Sequence, residues 1–190
     1  MKHIVILASG SGSNAENIVN YFKGSEVVKV AAVLTNKRTA KVLDRCERLD
    51  IPAFYFNKKA FSESDTLVKL LHGLDTDLVV LAGFLWKIPP QLISAFQNKI
   101  INIHPALLPK YGGKGMYGDY VHQAVRDNLE TETGITIHYV NENYDEGAII
   151  HQAKTLIEPT DQVADIAQKV HQLEYEHFPK IIEKLLKQDG

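Results

Sequence analysis

Ile4-Val5-Ile6-Leu7-Ala8-Ser9-Gly10-Ser11-Gly12-Ser13-Asn14 is the stretch that decides the fold class. Ile4 to Leu7 is apolar without alternation, so it reads as a strand buried on both faces. The glycines end it, because they allow a tight turn and a close approach to a ligand. Asn14 to Phe22 then reads as a helix, and Ser13 and Glu16 have capping-box spacing at its start. A buried strand that turns through glycines into a helix is the opening of an α/β fold.

The same alternation continues downstream. Val27 to Leu34, Ile51 to Phe56 and Leu78 to Leu81 read as strands. Lys41 to Leu49 reads as a helix with Val42, Leu43, Cys46 and Leu49 on one face. Ser62 to Leu74 reads as another, capped by Ser62 or Ser64. Apolar strands separated by helices predict a mostly parallel sheet covered on both faces, a Rossmann-like three-layer sandwich. Beyond residue 100 the pattern changes. Ile100 to Ile103 is a strand, residues 105–118 form a loop rich in Gly and Pro, and Tyr120 to Leu129 is helical. Gly134 to Val140 and Ala148 to Leu156 alternate apolar and polar residues, which predicts an antiparallel, half-exposed C-terminal pair. Thr160 is expected to cap a last helix with Val163, Ile166, Ala167, Val170 and Leu173 at helical spacing. Pro179 is expected to kink or divide that helix.

Composition narrows the function classes. The 190 residues fit a single domain, 1–190, with no repeat, low-complexity tract or linker. A hydrophobic share of 45% and a formal charge of −2 exclude disorder as the main state and disfavour a broadly basic nucleic-acid binder. The one cysteine, Cys46, excludes an internal disulfide framework and a multi-cysteine zinc site. It is expected in the core. No metal is expected, and a reducing compartment, the cytoplasm, fits. The longest apolar run, Leu78 to Trp86, is far short of the roughly 20 residues that span a bilayer. The apolar start is also too short for a signal peptide, so no membrane partner is expected. Residues 1–100 hold 13 Lys/Arg against 9 Asp/Glu, and residues 101–190 hold 8 against 14. This is ordinary surface charge, with a slight preference of an anionic ligand for the first half.

Gly10-Ser11-Gly12-Ser13-Asn14 is placed to bind an anion, because a helix N-terminus offers free N–H groups and a positive dipole end. With Ala15 the pattern reads G-x-G-x-x-A, which leaves a dinucleotide open. NAD would want an acid after the second strand, where Thr35-Asn36-Lys37-Arg38 has none. NADP could use the Lys-Arg pair on its extra phosphate. An ATP-type loop is excluded, since no Gly-Lys-Ser/Thr follows. A monophosphate is the simplest ligand left.

Asn102-Ile103-His104-Pro105 lies at the end of an apolar strand. Period two points residues 102 and 104 to one side, and ligands of open parallel sheets bind beyond the strand C-termini. An amide and an imidazole at that mouth point to chemistry rather than to a lone structural histidine. Asp145, in Tyr144-Asp145-Glu146-Gly147, reads by itself as a turn acid.

Together these stretches resemble the folate-dependent formyltransferases. The similarity spans nearly the whole chain. It includes the Gly-Ser-Asn turn, Asn36-Lys37, Leu81-Ala82-Gly83-Phe84, Ile101 to Pro109, Gly134-Ile135-Thr136-Ile137-His138, and Asp145-Glu146-Gly147. The Asn-x-His-Pro-Ala-Leu-Leu-Pro stretch is the most specific to 10-formyltetrahydrofolate transfer, and it is shared whatever the acceptor.

The resemblance implies a formyltransferase fold with 10-formyltetrahydrofolate as co-substrate and no metal. It implies formyl transfer to the amine of 5′-phosphoribosylglycinamide in de novo purine (IMP) biosynthesis, giving the formylglycinamide ribonucleotide and tetrahydrofolate. This acceptor is favoured because the turn matches the family's 5′-phosphate pocket. The chain is also expected to be without the added C-terminal domain of tRNA-formylating members, and its charge does not suit tRNA. The implied partners are therefore small molecules, with no nucleic acid or membrane, and the chain is expected as a monomer or homodimer.

Asn102, His104 and Asp145 match the family's catalytic positions. Asn102 would bond the oxyanion. His104 would be the acid–base group, with its pKa raised by Asp145. Gly12, Ser13 and Asn14 match the phosphate turn, and His171 and Glu174 match positions that contact the acceptor. Leu85, Trp86, Lys87, Ile88, Asn102 and the segment Val140, Asn141, Glu142, Asn143, Tyr144 and Asp145 match the folate-binding positions. On this reading residues 1–100 form the phosphate-binding half, and residues 101–190 the catalytic and folate-binding half.

Some positions depart from the family pattern. Trp86 stands where relatives often have Arg, which leaves it as a core or lid aromatic. The loop Tyr111 to Gly118 holds four glycines, the composition of a lid, and Lys114 in it could meet an anion. No Arg stands near Ser62 to Asp65 to pair with the folate's glutamate tail. Two alternatives remain beside the leading reading: a formyltransferase acting on an amino sugar nucleotide, and a non-formylating NADP-binding Rossmann module.

Overall fold

The computed structural model describes residues 1–188. One seven-stranded sheet organises them. Its strands are β1 (Lys2–Leu7), β2 (Val28–Thr35), β3 (Ala53–Tyr55), β4 (Thr76–Leu81), β5 (Ile100–His104), β6 (Glu132–Tyr139) and β7 (Ile149–Leu156), in the order β3-β2-β1-β4-β5-β6-β7. The first five run parallel, and β6 and β7 are antiparallel additions. The fold class expected from the opening stretch is therefore the one observed.

Apolar strands take the middle of the sheet because both their faces must be covered. Ile4 and Ile6 of β1 face one way, towards α1 (Ser13–Tyr21), α2 (Val42–Arg48) and α6 (Val163–Gln188). Ile18, Val42, Val170, Phe178 and Ile182 meet them there. Val5 and Leu7 face the other way, onto α3 (Thr66–Gly73) and α4 (Pro90–Ala95), where Leu67, Leu71, Leu92 and Phe96 pack. Each such side chain contributes roughly 1.5–3 kcal/mol by leaving water. Cys46 lies in the first of these layers, so it is a core residue. A small third cluster seats α5 (Asp119–Asp127) through Val121 and Val125 on Ala106.

Several local expectations fail, each for a visible reason. Ser13 and Glu16 form no capping box: Gly12 occupies the N-cap without a side-chain bond. Glu16 instead pairs with Arg45 and Arg48, which ties α1 to α2. Ser62 does not cap α3, but Ser64 Oγ accepts the N–H of Thr66, the first residue of that helix, at 3.4 Å. Ser62 lies in a π-helical turn, Lys59–Glu63, and its Oγ donates to the Lys58 carbonyl. Thr160 stands too far ahead of Val163 to cap α6. Asp165 does this work by accepting the Gln162 N–H at 2.8 Å. Of the kink or division expected at Pro179, the division does not occur, since α6 runs from Val163 to Gln188 as one helix. The half-exposed pair is half right. β7 is the edge strand and is partly exposed, but β6 is buried along most of its length because β5 and β7 flank it and α6 covers it. α4 carries no expectation from the sequence; Pro90 at its first turn supplies a φ suited to a helix start.

Candidate active site

The turn after β1 is built around Gly12. Its φ is +74°, and a Cβ there would collide with Val42 of α2. Only glycine fits, so α2 presses this turn against the N-terminus of α1. Arg45 Nε donates to the Ser11 carbonyl at 2.7 Å and steadies it from outside. Asn14 is buried, and its Nδ2 donates to Glu174 Oε2 at 2.8 Å. His171 Nδ1 donates to the same oxygen at 2.9 Å. The Glu174 hydrogen bond raises the His171 pKa, against the opposing effect of burial. His171 and Glu174, one turn apart on α6, thus meet the first helix across 160 residues of sequence.

The second group sits where β5 ends. Antiparallel pairing with β6 sets Asn102 opposite His138, and His104 opposite Thr136. His138 Nδ1 is 2.8 Å from the Tyr139 carbonyl, which can only accept, so Nδ1 carries the hydrogen. When neutral, His138 therefore accepts from Asn102 Nδ2 through Nε2, at 3.1 Å. His104 Nε2 is 2.7 Å from the Tyr111 carbonyl and by the same logic donates to it. The other nitrogen of His104, Nδ1, lies 3.6 Å from Asp145 Oδ2, and His138 Nε2 lies 3.6 Å from Asp145 Oδ1. Gly113 N–H donates to Asp145 Oδ2 at 2.9 Å. Gly147 makes this geometry possible, because a Cβ there would strike the Tyr139 carbonyl.

Electrostatics correct one expectation. Asp145 does favour the charged imidazole, but burial outweighs it, and the His104 pKa is lowered rather than raised. For Asp145, burial pushes the pKa up. His138, His104 and the Gly113 N–H more than offset this and hold the carboxyl below its usual range. The resting pair is a neutral imidazole beside a carboxylate.

Both groups open onto one cavity of about 580 Å³. Gly12, Ser13, Asn14, Asn102, His104, Asp145, His171 and Glu174 all line it. Of the two segments matched to folate positions, only Leu85, Tyr144 and Asp145 reach its wall. Trp86 instead packs with Phe56, Phe61 and Phe84, with Lys58 Nζ 4.8 Å from its ring centroid. It is a core aromatic. Ile88 is buried in the same layer, with Val140 against it. Lys87 Nζ lies 5.7 Å from the Tyr144 ring and so links the two segments. Asn141, Glu142 and Asn143 form a turn in which Asn141 Oδ1 accepts the Asn143 N–H and Glu146 accepts from Asn143 Nδ2. The glycine-rich loop contributes residues 113–118, including Lys114, to the wall.

His138 was not singled out by sequence reasoning. It ends the Gly134 to His138 stretch that resembles the family, but the register that sets it beside Asn102 is not written locally. His122, also on the cavity wall, belongs to no motif, and only the packing of α5 brings it there. Among the described residues no group of three or more His, Cys, Asp or Glu is placed to hold a metal. No helix among them is long and apolar enough to cross a membrane.

Comparison with known proteins settles the family. The formyl transferase family model matches residues 2–182. The chain belongs to the formyl transferase family. Among members, it is 39% identical over 193 residues to phosphoribosylglycinamide formyltransferase of Bacillus subtilis, covering 98% of this chain and 95% of that one. It is 37% identical to the enzyme of that name from Haemophilus influenzae, over 96% and 86% of the two chains. The crystal structure of phosphoribosylglycinamide formyltransferase from Bacillus halodurans superposes with a TM-score of 0.88 at 36% identity, covering 100% of this chain and 97% of that chain. That from Streptococcus pneumoniae superposes at 0.85 with 33% identity, over 97% and 99%. The family read from the glycine turn and the Asn102–Pro109 stretch is thus the family found.

Proposed function

We propose that this chain transfers the formyl group of 10-formyltetrahydrofolate to the amine of 5′-phosphoribosylglycinamide, a step of purine biosynthesis. The observation that carries the reading is the convergence of an anion-binding turn and the Asn102–His104–Asp145 group on one cavity. Its size suits a pocket for small molecules. The full-length likeness to enzymes named for this reaction supports the same acceptor. It sets the amino sugar nucleotide and the NADP-binding module behind it.

In this reading the N–H groups at the start of α1, with Gly12 and Ser13, receive the ribotide phosphate, and His171, whose protonated form Glu174 favours, lies beside them. Leu85 and Tyr144 flank the folate, and the backbone of the segments 85–88 and 140–145 holds its ring. The amine nitrogen attacks the formyl carbon, and the C=O electrons move to oxygen. Asn102 Nδ2 turns from His138 to that oxyanion; a donor so placed is typically worth about 100- to 1,000-fold in rate. Neutral His104 takes the proton lost by the amine at Nδ1, and Asp145 stabilises the imidazolium. The Tyr111 carbonyl keeps Nε2–H in place meanwhile. Collapse of the intermediate breaks the bond from carbon to N10 of the folate, and His104 passes its proton to N10 as it leaves.

On the same footing, residues 1–100 supply the phosphate-binding half of one domain, and residues 101–190 most of the catalytic and folate groups. The chain works on small molecules in the cytoplasm as a monomer or homodimer, with no nucleic acid or membrane surface as partner.

Formyl transfer from a 10-formyl folate, followed by absorbance of the deformylated product, tests the reading. Product with the ribotide, and none with an amino sugar nucleotide or without acceptor, is the expected result. Product without acceptor would make the chain a hydrolase, and product only with the amino sugar would replace the acceptor.

A further inference from the structure

His104 can act as a base at Nδ1 only while its ring hydrogen stays on Nε2. Neutral imidazole carries one such hydrogen, and here an acceptor faces each nitrogen. The Tyr111 carbonyl lies 2.7 Å from Nε2, and Asp145 Oδ2 lies 3.6 Å from Nδ1. Only the first is within hydrogen-bond reach. The carboxylate is nevertheless the stronger acceptor, so it would draw the hydrogen to Nδ1 if the carbonyl moved away. The base would then have no lone pair where the proton arrives. The position of Tyr111 therefore decides which nitrogen is free. Its backbone is in the left-handed region, at φ +57°, which a residue with a side chain keeps only when its surroundings fix it. Its ring packs on the cluster of Ala106, Val121 and Val125. Its hydroxyl donates at 2.9 Å to Oε1 of Glu130, in the link between α5 and β6. Lys110 and that hydroxyl hold the Glu130 carboxyl below its usual range, so the acceptor is charged at neutral pH. Neither Tyr111 nor Glu130 lines the substrate cavity.

We propose that Glu130 is a positioning residue for the formyl transfer: through the Tyr111 hydroxyl it holds the Tyr111 carbonyl on His104 Nε2, and so keeps Nδ1 free as the base. The inference rests on the enzyme reading and adds a residue outside the cavity that governs the base. Glu130 stands away from the substrates, so its loss acts on kcat and leaves both KM values alone.

The test combines formyl-transfer kinetics with a readout of the ring hydrogen. Tyr111→Phe removes the hydroxyl alone, Glu130→Leu removes the acceptor, and Glu130→Gln keeps an oxygen that can accept. Each of the first two is expected to lower kcat about tenfold, the size of one hydrogen bond to a charged group, with the ribotide and folate KM within about twofold. The double variant, Tyr111→Phe with Glu130→Leu, should lose no more than either alone, because both changes break one bond. Glu130→Gln should recover most of the loss. Nitrogen NMR of protein labelled at the histidine rings then reports which nitrogen carries the hydrogen, without any substrate. The signals missing from His104→Ala identify those of His104. In wild type Nε2 should carry the hydrogen, and in Tyr111→Phe and Glu130→Leu part of it should pass to Nδ1. A kcat near wild type in both single variants, or losses that multiply in the double variant, would overturn the inference. So would His104 ring signals that stay as in wild type while kcat falls, because the bond would then be structural only. If wild type transfers no formyl group to the ribotide, the enzyme reading falls, and the ring signals alone decide whether Glu130 holds His104.

Discussion

The turn after β1 and the end of β5 serve one cavity, yet they are built in opposite ways. The turn is local: Gly12, Ser13 and Asn14 follow one another, and the start of α1 supplies its N–H groups. The β5 end is assembled from distant pieces. Asn102 and His104 come from β5, His138 from β6, and Asp145 from the turn that follows β6. The backbone of the turn needs little beyond one helix and one glycine packed on α2, although the Asn14 side chain in it is held from α6 by Glu174. An assembled site depends on strand register, where a slip of one residue turns every side chain to the other face. The contrast extends to chemistry. The turn offers fixed dipoles suited to holding an anion, whereas the β5 end offers groups whose protonation changes.

Substitutions should separate the two regions. The largest effect is expected at the β5 end. His104→Ala should lower kcat by about 100- to 10,000-fold, the range for a lost acid–base group, with both substrates still bound. Stopped-flow folate binding alongside turnover checks it, and a kcat near wild type would remove His104 from the chemistry. Asn102→Ala comes next, at about 100- to 1,000-fold in kcat with the fold retained, read by kinetics and circular dichroism together. In the local region, Asn14→Ala should act through binding, with the ribotide KM up about tenfold and the folate KM steady. A variant in which only the folate KM rose would move the ribotide elsewhere.

The smallest effect concerns pH. Burial lowers the His104 pKa and the Asp145 carboxylate offsets part of that. A base must be neutral to act, so wild-type kcat/KM should be level near pH 7 and fall only below the ordinary histidine value of about 6.5. In Asp145→Asn the offset disappears, so His104 loses its proton at still lower pH. The acid limb of the surviving activity should then move to lower pH, while its plateau drops. A shift to higher pH would mean that Asp145 acts on His104 otherwise than by its charge.

The same contrast explains what could be read from the chain. β1, its turn and α1 are adjacent in sequence, so apolar runs and glycines expose them. The Asn102–His104 pair was legible because period two operates within one strand. His138 was not, because only the pairing of β5 with β6 sets it beside Asn102. Asp145 gained its meaning from family likeness, since a turn acid has no local mark of function. Caps were the weakest reading. Ser13 and Thr160 have suitable chemistry, but Gly12 holds the N-cap of α1 and Asp165 bonds the start of α6, while Ser62 lies in a π-helical turn and leaves Ser64 to meet the start of α3. The His104 pKa was misjudged because burial, which the sequence does not display, outweighs the neighbouring charge.

The division between a holding region and a reacting region is tested most directly by formyl transfer over a full ribotide titration. Wild type, Asn14→Ala and His104→Ala would be compared at saturating 10-formyl folate. The account predicts that Asn14→Ala regains nearly the wild-type rate as ribotide saturates, and that His104→Ala stays slow at every concentration. Recovery of His104→Ala at high ribotide, or an equally low plateau for Asn14→Ala, would contradict it.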